Sequence, residues 1–234
     1  MGIGLGGLFG SNYFLLVFLP AIVLSLGAQL LVSSAFSKWT KIRNSSGLTG
    51  IQAAQKIIQK AGLFGVQLEG TPGQRTDHFD PTSNVVRMSQ DVATTPSVAA
   101  MAVVAHELGH AQQYAENSIF IQMRSFLVPA MRFSPMVSYA LIMIGLFTNA
   151  LGLIQLGILF YAVVVLFMIL TLPVEIDASR RGLILLRNAG LMGSEEDIGG
   201  SRSVLTAAAL TYVAAAVTAL LNLLYYLSLA NRRR

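Results

Sequence analysis

The sequence predicts a mainly α integral membrane protein with about four transmembrane helices and a small strand hairpin, and three observations carry that expectation. Of 234 residues, 54% are hydrophobic and only 12% are charged, whereas charged residues make up about a quarter of an ordinary soluble domain. Three uncharged runs, at 13–36, 133–174 and 204–230, are long enough to cross a bilayer core of about 30 Å at about 1.5 Å per residue. The polar residues are gathered into two segments, 38–130 and 175–203, rather than spread along the chain.

Taken in order, residues 1–37 carry no charge, and 13–36 is read as the first span. A cleaved signal peptide is the competing reading, but no positive residue precedes the apolar run and the run exceeds the usual length of such a segment. The opening MGIGLG lacks the Ser or Thr of a myristoylation signal. In 49–61, Ile51, Ala54, Ile57, Ile58 and Ala61 recur at helical spacing, with Gly62 placed to end the helix. Residues 66–69 and 85–89 read as short strands separated by the turn-rich sequences TPGQ and DPTSN, giving a small hairpin or sheet edge. After Thr95 and Pro96, Ser97 is placed to cap a helix running from about 98 to 116.

The uncharged run 133–174 would extend about 63 Å as one helix, twice a bilayer core. It is therefore divided into spans at 133–148 and 152–173, with the break at Thr148, Asn149 and Gly152. Residues 204–230, Ala-rich in their first half, suit a closely packed last span. The whole chain is expected to form a single membrane-embedded domain. Nine Lys and Arg lie in 38–132 and four in 175–203, so both polar segments are expected to face the cytoplasm in a multi-pass cell-membrane protein. Arg232, Arg233 and Arg234 run against that scheme if the last helix crosses fully. The net charge of +5 is scattered beside apolar runs, the pattern of membrane-flanking residues, so no nucleic-acid partner is expected.

Within the 98–116 helix stands His-Glu-Leu-Gly-His, residues 106–110. Residues i and i+4 share a helix face, so His106 and His110 can reach one tetrahedral zinc with Glu107 beside the water that such a metal activates. The preceding run VAAMAVVA is apolar on every face, and two imidazoles and a carboxylate in a buried setting need a partner. With no cysteine in the chain, the metal must be held by His, Asp or Glu. The favoured third ligand is Glu175, which opens the second polar segment: two crossings between His110 and Glu175 return the chain to the same membrane face. Asp177 is the rival ligand, but on a helix it points about 200° away from Glu175, so only one can face the metal. A solvated helix start, which favours acids, is the plain alternative for both.

The succession TDHFDP, VVRMS, HELGHAQQ and PVEIDASRR resembles the putative neutral zinc metallopeptidase family of bacteria, the YugP-like group, over about residues 38–190. More widely, the chain is similar to the integral-membrane gluzincins, the HtpX-like and CAAX prenyl-peptidase types. The resemblance implies a zincin-like catalytic helix, Zn2+ held by His106, His110 and Glu175, Glu107 as general base, and a protein or peptide substrate. Many gluzincins carry an acid four residues after the ligand glutamate, where this chain has Ser179; Ser179 can hydrogen-bond a ligand imidazole, or support can come from elsewhere.

Further candidates are less sharply defined. His78, with Asp77 and Asp80 nearby, is placed to contact substrate or an oxyanion, or to sit in a turn held by the Asp side chains. Arg180 and Arg181 are candidates for clamping a substrate carboxylate, against membrane-flanking charge. Tyr114, one turn beyond His110, falls near the metal face or at the membrane interface. Gly109 within the helix points to close approach by another backbone. Residues 85–89 offer an edge for an extended substrate. A non-catalytic zinc-binding interaction or assembly protein is the second functional reading, and a transporter the third, disfavoured because 133–174 and 204–230 hold no Asp, Glu, Lys, Arg or His. Besides the lipid bilayer, a homo-oligomer or a regulatory membrane partner is compatible with the sequence.

Overall fold

The computed structural model of the chain describes residues 13–232. The MGIGLG opening and the last two arginines, Arg233 and Arg234, lie outside the described residues. The protein is mainly helical, with one small mixed sheet between its second and third helices. Helix α1 (Phe14–Thr40) winds as a π-helix over Phe14–Phe18. Helix α2 (Gly50–Ala61) starts and stops where local chemistry says it should. Thr49 and Gln52 form a reciprocal capping box, and Gly62 closes the helix at φ 70°, a left-handed conformation that glycine adopts without steric cost.

The sheet departs from the expected hairpin. Strand β1 (Gln67–Thr71) pairs in parallel with β3 (Val85–Ser89), and a short strand β2 (His78–Asp80), not read from the sequence, pairs antiparallel with β3 on its other side. The hairpin is thus β2–β3, turning through Pro81–Asn84, where Asn84 takes φ 55°. Asp80 shapes this turn by accepting from the Thr82 amide and the Ser83 hydroxyl. Because β3 is central and paired along both edges, the expectation that 85–89 could receive an extended substrate is overturned. Its own backbone groups are already used.

Helix α3 (Gln90–Thr94) is a single short turn of chain before α4 (Val98–Ala115), whose start is capped by the Ser97 hydroxyl on the Ala100 amide. Helix α4 is buried along almost its whole length, as expected for a run apolar on all sides. Four helices follow: α5 (Ile119–Met131), α6 (Ser134–Phe147), α7 (Leu151–Asn188) and α8 (Glu195–Asn231). The break between α6 and α7 falls at Thr148–Ala150, with Asn149 at φ 54°.

Among the described residues three helices, α1, α7 and α8, are long and apolar enough to cross a membrane. The span expected at 133–148 corresponds to α6, whose 14 residues extend only about 21 Å. It reaches spanning length only together with α5, across a 49° bend. Helix α5 lies in what the sequence presented as polar chain, because Arg124 interrupts its apolar residues; the guanidinium lies over the Phe167 ring, 5.8 Å from its centroid.

Two helices also run further than their apolar stretches. Helix α7 continues through Pro173 to Asn188, so the passage from apolar to polar sequence at 174–175 does not end the helix. Helix α8 begins at Glu195 rather than 204, its Ser194 hydroxyl accepting from the Asp197 amide.

The chain divides into two compact units. One takes residues up to 28, 122–172 and those from 211 on; the other takes 29–121 and 173–210. The first contains an apolar core of Ile142, Leu146, Ile154, Ile158 and Leu229. The second is built around α4, which packs with Ile57 of α2, Val86 and Met88 of β3 and Leu185 and Leu186 of α7.

Candidate metal centre

Helix α4 and the polar half of α7 cross at two reciprocal close contacts. A Cβ on Gly109 would lie 2.3 Å from the Ala178 carbonyl oxygen, and one on Gly182 would lie 2.9 Å from the Ala105 carbonyl oxygen. Only glycine lets the backbones meet this closely. The glycine inside HELGH therefore has a structural reason, and the partner backbone is the helix that carries Glu175.

This approach brings His106, His110 and Glu175 together, with one potential ligand atom from each lying within 4.8 Å of the others. The Glu175 Oε2 lies 3.3 Å from His106 Nε2 and 3.5 Å from His110 Nε2. Glu175 is well inside α7, not at a helix start, and is only 3% exposed. Its Oε2 is a buried oxygen without a hydrogen-bond donor.

The other imidazole nitrogens are held from behind. His110 Nδ1 lies 3.0 Å from Gln113 Oε1. The Gln113 amide nitrogen in turn donates to the Val174 carbonyl and to Asp177 Oδ2, both at 2.8 Å. Both of those partners only accept, so Oε1 must be the atom facing His110, and Nδ1 must carry the proton. The neutral ring then presents a bare lone pair at Nε2, facing a carboxylate oxygen. His106 Nδ1 stands 3.2 Å from Ser179 Oγ, which can accept its proton in the same way.

Three electron-rich atoms converging in a buried place repel one another unless a cation lies between them. Ligand atoms around a tetrahedral zinc at about 2.0–2.2 Å are about 3.3–3.6 Å apart, matching the two Glu175–imidazole separations. The donor set, two imidazoles and a carboxylate without thiolate, fits zinc with a coordination position left open.

Glu107 is 8% exposed, and its Oε2 accepts a 2.9 Å bond from the Phe79 amide of β2. An edge strand thus passes directly beside the carboxylate next to the first histidine.

The remaining candidates fall into distinct places. Asp177 takes Gln113 and, at 2.6 Å, Arg181 Nε, so its carboxylate faces the support of His110 rather than the convergence point. Arg181 also pairs with Glu116 at 2.6 Å, while Arg180 is exposed. His78 is exposed, with Nδ1 2.8 Å from the Thr76 carbonyl. Asp77 accepts from the Ser89 amide and hydroxyl, and the Arg87 guanidinium together with Ser83 and Thr82 holds the Asp80 carboxyl well below the usual carboxylate range. Tyr114 is 44% exposed and packs its ring against Phe79 at 6.0 Å. Gln113 is the participant that sequence reading missed; its position three residues after His110, on the same helix face, was the available signal.

The family described as "Putative neutral zinc metallopeptidase" matches residues 14–231. The protein named "Putative membrane protease YugP" of Bacillus subtilis (strain 168) is 39% identical over 213 residues, covering 91% of this chain and 94% of that protein. No solved structure matches. With a family match that extends from the first span to the last helix and takes in every residue of the His-His-Glu cluster, the chain belongs to the neutral zinc metallopeptidase family.

Proposed function

We propose that this membrane protein is a gluzincin-type endopeptidase that hydrolyses peptide bonds, with His106, His110 and Glu175 holding Zn2+ and Glu107 acting as general base. The observation that carries this reading is the convergence of two Nε2 atoms and the orphaned Glu175 Oε2 on one point. When bound there, zinc supplies a Lewis acid that polarises the scissile carbonyl and acidifies the attacking water. The chain's own groups do the rest. Gln113 and Ser179 keep the imidazole protons on Nδ1 and the lone pairs on Nε2. The Phe79 amide engages Glu107 Oε2, leaving Oε1 to take the proton from water as the new C–O bond forms. The same carboxyl returns that proton to the amine as the C–N bond breaks.

Substrate positioning is assigned to the surroundings of β2, whose Phe79 amide holds Glu107, rather than to the central β3. We assign the site to the cytoplasmic side, a reading supported by the Lys and Arg that flank it in sequence.

The test uses full-length wild type and Glu107→Gln in detergent with an unfolded protein as substrate. Zinc near one per chain in both, with cleavage reduced about 10²–10⁴-fold in the variant, is expected. Equal cleavage by both would refute Glu107 as the base. Equal zinc with no cleavage by either protein would favour the non-catalytic zinc-binding reading.

A further inference from the structure

Away from the metal centre, within the same unit, α1 and α8 border a groove of about 550 Å³. Its α1 side is one helix face, from Leu31 through Ser34 and Ala35 to Lys38 and Trp39; its α8 side runs from Arg202 to Leu210. The two helices bring their charged positions to one end and their apolar positions to the other. At the charged end stand Lys38 and Arg202, both exposed, with the hydroxyls of Ser203 and Thr206 beside them.

Neither cation forms an ion pair with a carboxylate among the described residues. The Lys38 ammonium instead lies over the Trp39 ring, 4.7 Å from its centroid. The Trp39 ring is itself seated on α8, because a Cβ on Gly200 would fall 2.5 Å from its Cε3. The wall is therefore rigidly placed, whereas the two positive charges are left to solvent. Toward the apolar end, the buried Ala35 and Ala207 form the floor, and the half-exposed Leu31 and Leu210 form the sides.

We propose that this groove is a binding site for one anionic phospholipid. Its phosphate lies between Lys38 and Arg202, with hydrogen bonds from the groove hydroxyls, and an acyl chain runs between Leu31 and Leu210. Both helices are among those able to cross a membrane, and basic pockets between such helices at the membrane surface select anionic headgroups. The pairing of an uncompensated double cation with an apolar slot matches an amphiphile better than a free anion, which would leave the leucines unused. An acidic peptide would likewise leave the apolar half empty.

The test is native mass spectrometry of the full-length protein in a neutral detergent, titrated with phosphatidylglycerol or phosphatidylcholine of identical chains. Phosphatidylglycerol should be retained roughly 10- to 30-fold more tightly. The double variant Lys38→Gln/Arg202→Gln should lose that preference, whereas Lys38→Arg/Arg202→Lys should keep it, with zinc content and melting temperature unchanged in both. Equal retention of the two lipids by wild type, or an undiminished preference in the Gln variant, would overturn the proposal. Displacement of phosphatidylglycerol by millimolar inorganic phosphate or by an acidic peptide would also overturn it, since the apolar slot would then contribute nothing.

Discussion

Helix α7 makes two close helix crossings of the same design, one in each unit, and they serve different ends. In the apolar unit, Gly145 of α6 faces Ile154 and Gly157 of α7 faces Ile142, with an added Cβ meeting backbone or side-chain atoms at 2.7–3.0 Å. In the other unit, Gly109 of α4 faces Ala178 and Gly182 of α7 faces Ala105. Both are antiparallel pairs in which small residues admit the opposing backbone, a device suited to helices that cannot rely on apolar exclusion from water. The first crossing is lined by Ile142, Leu146 and Ile158 and holds helices together. Around the second, the same close approach places His106, His110 and Gln113 against Glu175, Asp177 and Ser179. Backbone proximity is common to both; the polar side chains added at the crossing make one of them a candidate metal centre.

The comparison is broken most severely by adding a methyl group at each crossing. Gly109→Ala places Cβ against the Ala178 carbonyl at 2.3 Å and must push the helices apart, dispersing ligand atoms that sit 3.3–3.5 Å from one another. Zinc per chain, measured by atomic emission, should fall to about a tenth or less of wild type, and peptide cleavage by about 10²-fold or more. Gly157→Ala meets contacts of 2.7–3.0 Å and should lower the melting temperature by about 2–8 °C while zinc stays near one per chain. If Gly109→Ala kept its zinc, the crossing would not be what positions the site.

Support for the imidazoles gives the next largest effect. Gln113→Leu removes the acceptor for His110 and the side-chain donor to the Val174 carbonyl; a chelator competition should show zinc affinity about 10–100-fold weaker. Ser179→Ala removes a longer, 3.2 Å contact to a half-buried histidine, and its loss should be no more than about 10-fold. A Ser179 effect as large as that of Gln113 would show that the hydroxyl supports its imidazole as strongly as the glutamine supports His110.

The smallest effect is a matter of pH. In the zinc-free protein, burial alone would push the His110 imidazole down, but Glu175 and Glu107 with Gln113 outweigh it and raise the pKa. A group raised by folding contributes stability fully below its unfolded value of about 6.5 and loses it as pH rises through the folded value. Zinc-free protein should therefore melt lower at about pH 8 than at about pH 6, and the zinc-loaded protein should show the opposite slope, because metal and proton compete for the same Nε2. Thermal melts with and without chelator check this; parallel slopes would remove His110 from the metal site.

Local features were legible because their causes are local. The Thr49–Gln52 capping box, Gly62, the Ser97 cap and the Asn149 break each depend on a few adjacent residues. The boundaries that were misplaced depend on distant ones. The span read at 152–173 does not stop there, because α7 continues through Pro173 to Asn188. Strand β2 has three residues and exists only because β3 is beside it. Gln113 acquires its role from Val174 and Asp177, more than sixty residues away.

The sequence by itself determined the membrane class, the HELGH helix and Glu175 as the favoured partner, because apolar length, helical periodicity and metal-ligand chemistry are properties of residue type and spacing. Tertiary structure decided which backbone Gly109 admits, which edge of the sheet runs beside Glu107 and which groups stand behind the imidazoles. Those depend on how two helices cross and how three strands are ordered, and the separations involved, a few tenths of an ångström either way, are set by packing between segments far apart in the chain.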